Sequence, residues 1–112
     1  MLTLEDLKEL GVNTEEGLTR CMNNEGFYIR LVGMAVADAN FDRLKTAIEA
    51  DDLDAAFEAA HALKGVLSNL ALTPICRPVT EITELLRTRT KMDYRGYVDE
   101  IFARLDELKA VC

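Results

Sequence analysis

The sequence predicts an all-α fold, an up-and-down four-helix bundle with short additional helices at its N-terminus. Three observations lead there. No stretch sustains the apolar–polar alternation that a half-buried strand needs. Apolar residues instead recur at three- and four-residue spacing along most of the chain. The segments between these runs are short, which sets neighbouring long helices antiparallel. At 112 residues the chain suits a single domain, 1–112, with short helices over 3–22 and the bundle over roughly 24–111.

Thr3 precedes Leu4-Glu5-Asp6-Leu7 with an acidic residue three positions on, a helix start that Gly11 ends. Thr14, with Glu15 and Glu16, opens a second short helix to about Met22. Asn24 caps a longer one through Phe27, Leu31, Met34, Val36 and Ala37, ending near Asp38-Ala39-Asn40. Phe41 to Ala50 continues with Leu44, Ala47 and Ile48 on one face. Asp51 or Asp52 then caps the most regular segment, Leu53 to about Ala71. Pro74 fits the first turn of a helix through Val79, Ile82, Leu85 and Leu86. Thr88-Arg89-Thr90-Lys91 reads as a loop, and Asp93 as the cap of a last helix bearing Tyr97, Val98, Ile101, Leu105, Leu108 and Val111.

Composition narrows the function classes. A hydrophobic fraction of 49% with 29% charged residues is that of an ordinary globular domain, not a disordered chain. The net charge of −7 and pI near 4.7 argue against nucleic acid or an anionic membrane surface as partner. The start has no basic region followed by an apolar run, and the longest apolar stretch, Leu31 to Ala37, is far short of the roughly 20 residues a membrane span needs. Cys21, Cys76 and Cys112 are odd in number and form no Cys-x-x-Cys pair, which suits reduced thiols in the cytoplasm.

The chemistry concentrates in the segment from Leu53 to Ala71. Successive helical side chains turn by about 100°, so Leu53, Ala56, Phe57, Ala60, Leu63, Leu67, Leu70 and Ala71 form one apolar arc. His61, the sole histidine, falls beside that arc, in a strip with Lys64, Gly65 and Ser68. An unperturbed imidazole titrates at about 6.5, so a neutral nucleophilic nitrogen is available near pH 7. A phosphoryl group on it adds roughly two negative charges, which a lysine one turn away neutralises in part. Glycine inside a helix costs about 1 kcal/mol relative to alanine, and at Gly65 it opens a notch beside His61.

Each residue has a plainer reading. Gly26, Gly33 and Gly96 also lie in helical patterns, so close packing rivals the notch at Gly65. Ser68 is either a phosphate neighbour or an ordinary surface serine. Phe57 belongs to the core with an outer edge open to a partner. Arg87, Arg89, Lys91 and Arg95 read as a solvated loop and helix start. A metal site is unsupported, with one histidine and only Asp54 and Glu58 as nearby carboxylates. No Gly-x-Ser-x-Gly and no phosphate-cradling glycine loop are present, so neither hydrolase chemistry nor an ATP site is expected.

The run Ala60-His61-Ala62-Leu63-Lys64-Gly65-Val66-Leu67-Ser68-Asn69-Leu70 resembles the signature helix of histidine phosphotransfer domains, a histidine followed by x-Leu-Lys-Gly. The preceding Ile48 to Ala56 is similar to that family's approach to the helix. The likeness covers roughly Phe27 to Leu108, and its specific part surrounds His61. It implies that His61 accepts a phosphoryl group at its outer ring nitrogen, that Lys64 supports it, that Gly65 leaves room for a receiver domain, and that Ser68 is a secondary neighbour. Where the family commonly has glycine after Asn-Leu, this chain has Ala71. The resemblance further implies a monomeric phosphocarrier of two-component phosphorelays, not a self-sufficient enzyme. Its partners would be response-regulator receiver domains or a hybrid histidine kinase, with Mg²⁺ supplied by the receiver and no cofactor of its own. Two alternatives stay open: an adaptor that docks a receiver without transfer, and the phosphorylated module of a larger histidine kinase.

Overall fold

The computed structural model describes residues 2–112, which form helices and connecting turns with no strand among them. Seven helices follow in order: α1 (Leu4–Glu9), α2 (Thr14–Arg20), α3 (Glu25–Val36), α4 (Asn40–Glu49), α5 (Leu53–Asn69), α6 (Thr73–Arg87) and α7 (Arg95–Val111). α5 packs most extensively against α4 and α6, α6 against α7, and α7 returns to α4 to close a four-helix ring. α3 extends the α4 side of that ring. The Tyr28 hydroxyl donates to the Leu70 carbonyl at 2.8 Å, and Leu31, Met34 and Ala35 face Val66 and Leu70 across a shallow groove. The first bundle helix is thus broken at 37–39, where the Asp38 carboxylate accepts the Asn40 backbone N–H at 2.8 Å.

The periodic positions meet in one core. Leu44, Ala56, Ala60, Leu63, Leu67, Ile75, Val79, Ile82, Leu86, Ile101 and Leu105 are all buried, and a fully buried side chain of the larger kind contributes about 1.5–3 kcal/mol. Tyr28 is buried with them, and desolvation, aided by the nearby Cys21 thiol, pushes its phenol up to about 12.

Capping follows the sequence with two adjustments. Thr3 and Asp6 form the full capping box, and Asn24 and Asp52 accept the N–H groups of Phe27 and Ala55. For α2 the cap is Asn13, which accepts the Glu16 N–H at 3.2 Å, while Thr14 starts the helix and is buried. For α7 the cap position falls on Tyr94 rather than Asp93. Tyr94 is buried and its hydroxyl donates to the Thr90 carbonyl, which fixes the register one residue later. Asp93 instead binds Arg95, whose guanidinium and backbone N–H hold its carboxyl down at about 2.

The helix ends share a geometry that glycine ordinarily serves. After α1, α2, α4, α5 and α6 a residue with positive φ donates to the third carbonyl back, and the next residue donates to the fifth. Only Gly11 is a glycine among these; the others are Met22, Asp51, Ala71 and Arg89. At the end of α5, Ala71 has φ +54° and donates to Ser68, while Leu72 donates to Leu67. The position where the resembling family carries glycine is therefore one whose backbone favours it. The left-handed conformation costs a side-chain-bearing residue about 1–2 kcal/mol, more than the extra backbone entropy of glycine, about 0.5–1 kcal/mol. Ala71→Gly is expected to raise stability by about 0.5–1 kcal/mol in chemical denaturation, with the m-value unchanged.

Candidate functional site

α5 turns its apolar arc inward as its spacing requires. Ala56, Ala60, Leu63 and Leu67 are buried, Leu53 and Phe57 partly so, and His61 stands on the exposed side. Phe57, one turn earlier, stacks on the imidazole with ring centroids 5.5 Å apart and planes 17° from parallel. It is half-buried, packed against the core with part of its ring at the surface.

Two guanidiniums close over the Phe57 ring, Arg87 at 5.2 Å and Arg89 at 4.8 Å from its centroid. Arg89 owes this placement to its positive φ at the end of α6 and to two hydrogen bonds. One runs from Nε to the Asp54 carboxylate at 2.6 Å, the other from the guanidinium to the Leu86 carbonyl at 2.7 Å. The basic segment is thus not simply a solvated loop: Arg87 and Arg89 pack over the Phe57 ring, on which His61 stacks. Arg95 pairs with Asp93, and Lys91 is exposed. Composition gave no sign of the two arginines. An antiparallel α5–α6 hairpin holds the signal, because positions equally far from the turn at 70–72 lie side by side, which brings 85–89 to 53–57.

Lys64, three residues after His61, is half-buried and directs its ammonium to Glu84, with Nζ 3.9 Å from Oε2. That carboxylate also takes the Arg87 guanidinium at 3.2 Å. Lys64 thus lies one turn from His61, with Arg87 and Arg89 over the ring on which the imidazole stacks, each cation against an acidic group. Exposed pairs of this kind are worth only about 0.2–1 kcal/mol, so they exchange partners readily.

Ser68 is not brought to the ring. It lies two turns from His61, about 10 Å along the axis, and its Oγ meets Cys76 Sγ at 3.4 Å. Its groove contains Arg20, Cys76, Arg77 and Thr80 instead. Gly65 lies next to His61 on the exposed face, and a Cβ built there meets nothing within 4 Å. Close packing does not explain it. Gly33 and Gly96 are equally open, so what distinguishes Gly65 is its place one turn from the imidazole.

The Hpt domain model matches residues 34–111, from the last turn of α3 through α7. The chain belongs to the Hpt domain family. At the level of that family, its business is histidine phosphotransfer in phosphorelays. No curated protein and no solved structure matches the chain. The matched span of this Hpt domain contains the whole α4–α7 ring and every residue described around His61. Among its described residues no helix is long and apolar enough to cross a membrane.

Two glycines separate packing from openness. In α2, a Cβ at Gly17 would stand 2.5 Å from the Tyr28 ring, which is buried and tied to Leu70. Gly17→Ala is therefore expected to destabilise by about 1–3 kcal/mol despite alanine's better helix propensity. Gly65→Ala, with open space around it, should stabilise by about 0.5–1 kcal/mol. Thermal unfolding of the two variants checks the contrast; a loss at Gly65 would make it a packing glycine.

Proposed function

We propose that this Hpt domain is a phosphocarrier of two-component signalling that moves a phosphoryl group between receiver-domain aspartates through His61. The observation that carries the reading is the place of the chain's single histidine. It is exposed on α5 with Phe57 stacked against it and Gly65 open beside it, at the motif position of a family that performs histidine phosphotransfer. An unprotonated ring nitrogen attacks the phosphorus of an aspartyl phosphate. The bond from phosphorus to the carboxylate oxygen breaks, a phosphorus–nitrogen bond forms, and the other ring nitrogen releases its proton to solvent. Reversal onto a second receiver completes the relay.

This chain contributes the nucleophile, its supporting cation Lys64 and the docking face around Gly65 and Phe57. The receiver contributes Mg²⁺ and most of the electrostatic stabilisation of the transferring group. The domain acts as a cytoplasmic monomer without an ATP site, its partners being response-regulator receivers or a hybrid kinase. Ala71, the departure from the family's pattern, lies ten residues from His61 in a helix end that forms despite the alanine. It bears on stability, not on the imidazole.

The test uses purified receiver domains charged with labelled acyl phosphate. Label transferred to this chain is expected to be lost in acid and to survive mild alkali, as a phosphoramidate does. His61→Gln should keep the helical circular dichroism, stay within about 1 kcal/mol of wild-type stability and take no label. Gly65→Gln should fold normally yet slow transfer on the order of tenfold or more, because its side chain fills the approach to the imidazole. A wild type that binds receivers but takes no phosphate from any of them would turn the reading to the adaptor, and label on His61→Gln would end it.

A further inference from the structure

Glu84 places a negative charge where the proposed phosphoryl site calls for cations. Its Oε2 stands 3.9 Å from Lys64 Nζ and 3.2 Å from both Nε and a terminal nitrogen of Arg87. One oxygen on α6 thereby holds the lysine three residues after His61 and a guanidinium lying over Phe57, on which the imidazole stacks. In the first turn of α5, Asp54 holds Arg89 in the same manner. Lys64, Glu84 and Arg87 are 33%, 54% and 48% exposed, so water and salt weaken these pairs. A phosphoryl group carrying close to two charges and three acceptor oxygens is the stronger partner for the same cations.

We propose that Glu84 sets the phosphoryl-transfer equilibrium of His61 by competing with the phosphoryl group for Lys64 and Arg87. This rests on His61 being the phosphoacceptor. In the unphosphorylated domain Glu84 retains both cations. When the imidazole takes the phosphoryl group, the cations turn to its oxygens and the Glu84 carboxylate is left near a second negative group. The lost pairing and the like-charge repulsion have the same sign: both weaken the hold of His61 on the phosphoryl group. A carrier gains from this, since a relay must release what it accepts. Glu84 touches neither reacting atom, so it is a positioning residue that acts through the cations.

The experiment dispenses with any receiver and uses phosphoramidate as the donor. The His61 nitrogen attacks phosphorus, the bond to the donor nitrogen breaks, and ammonia leaves with the imidazole proton. At a fixed ratio of phosphoramidate to ammonia, phosphorus NMR reads the phosphorylated fraction at equilibrium. Glu84→Gln should raise the equilibrium constant by about threefold to tenfold at an unchanged melting temperature. Glu25→Gln alters net charge equally at the start of α3, and since Glu25 pairs with neither cation it should shift the constant by less than about 1.5-fold. In a Lys64→Met background the effect of Glu84→Gln should shrink, the mark of coupling through that lysine. An unmoved constant in Glu84→Gln, or an equal shift in Glu25→Gln, overturns the role of Glu84 while leaving His61 as acceptor. Absence of any His61 adduct in wild type is a different failure, of the phosphoacceptor reading itself, and removes this proposal with it.

Discussion

The antiparallel seating of α6 against α5 governs most of what this domain presents to solvent. Leu63 and Leu67 on one helix and Ile75, Val79, Ile82 and Leu86 on the other are buried together with the rest of the core. With the arc from Ala56 to Leu67 held inward, α5 has one rotational setting, and His61 has no choice but the outer face. The same contact carries the end of α6 back alongside the first turns of α5. Arg87 and Arg89 then reach Phe57, and Glu84 reaches Lys64. A rotation of either helix would bury the imidazole or scatter the charges around it.

Glycine is distributed against the usual preference. Four of five left-handed helix ends are made by residues with side chains, at Met22, Asp51, Ala71 and Arg89, whereas α2 and α5 carry glycine internally. Each case has its own physical reason. Gly17 admits the Tyr28 ring, whose hydroxyl ties α3 to the end of α5. Gly65 admits nothing from its own chain and leaves surface open beside the imidazole. Arg89 accepts a strained backbone and in return directs its guanidinium across Phe57 to Asp54.

The charge pattern around His61 is one of balance rather than accumulation. Lys64, Arg87 and Arg89 alone would make a strongly cationic patch, but Glu84 and Asp54 offset it. Weak, solvent-screened pairs of this kind can each be exchanged at small cost. The stack of Phe57 on the imidazole adds orientation that does not depend on salt.

The helical class, the four-helix ring, the inward arc of α5 and the exposure of His61 were legible in the sequence, because each follows from periodicity or capping within one segment. Lys64 and Gly65 were legible beside it for the same reason, being one turn away on a common helix. Ser68 shares their stripe, yet two turns separate it from His61, and Cys76 of the neighbouring helix lies against it. The cap of α7 shifted from Asp93 to Tyr94 because burial of an aromatic ring outweighs a favourable capping side chain. Arg87, Arg89 and Glu84 were illegible as parts of the site, since nothing within one helix says which residues of another will face it. Sequence by itself determined the secondary structure, the buried face and the exposed place of the sole histidine, all local or periodic properties. Tertiary structure alone decided which charges surround that side chain, because they arrive from a second helix whose register is set by core packing.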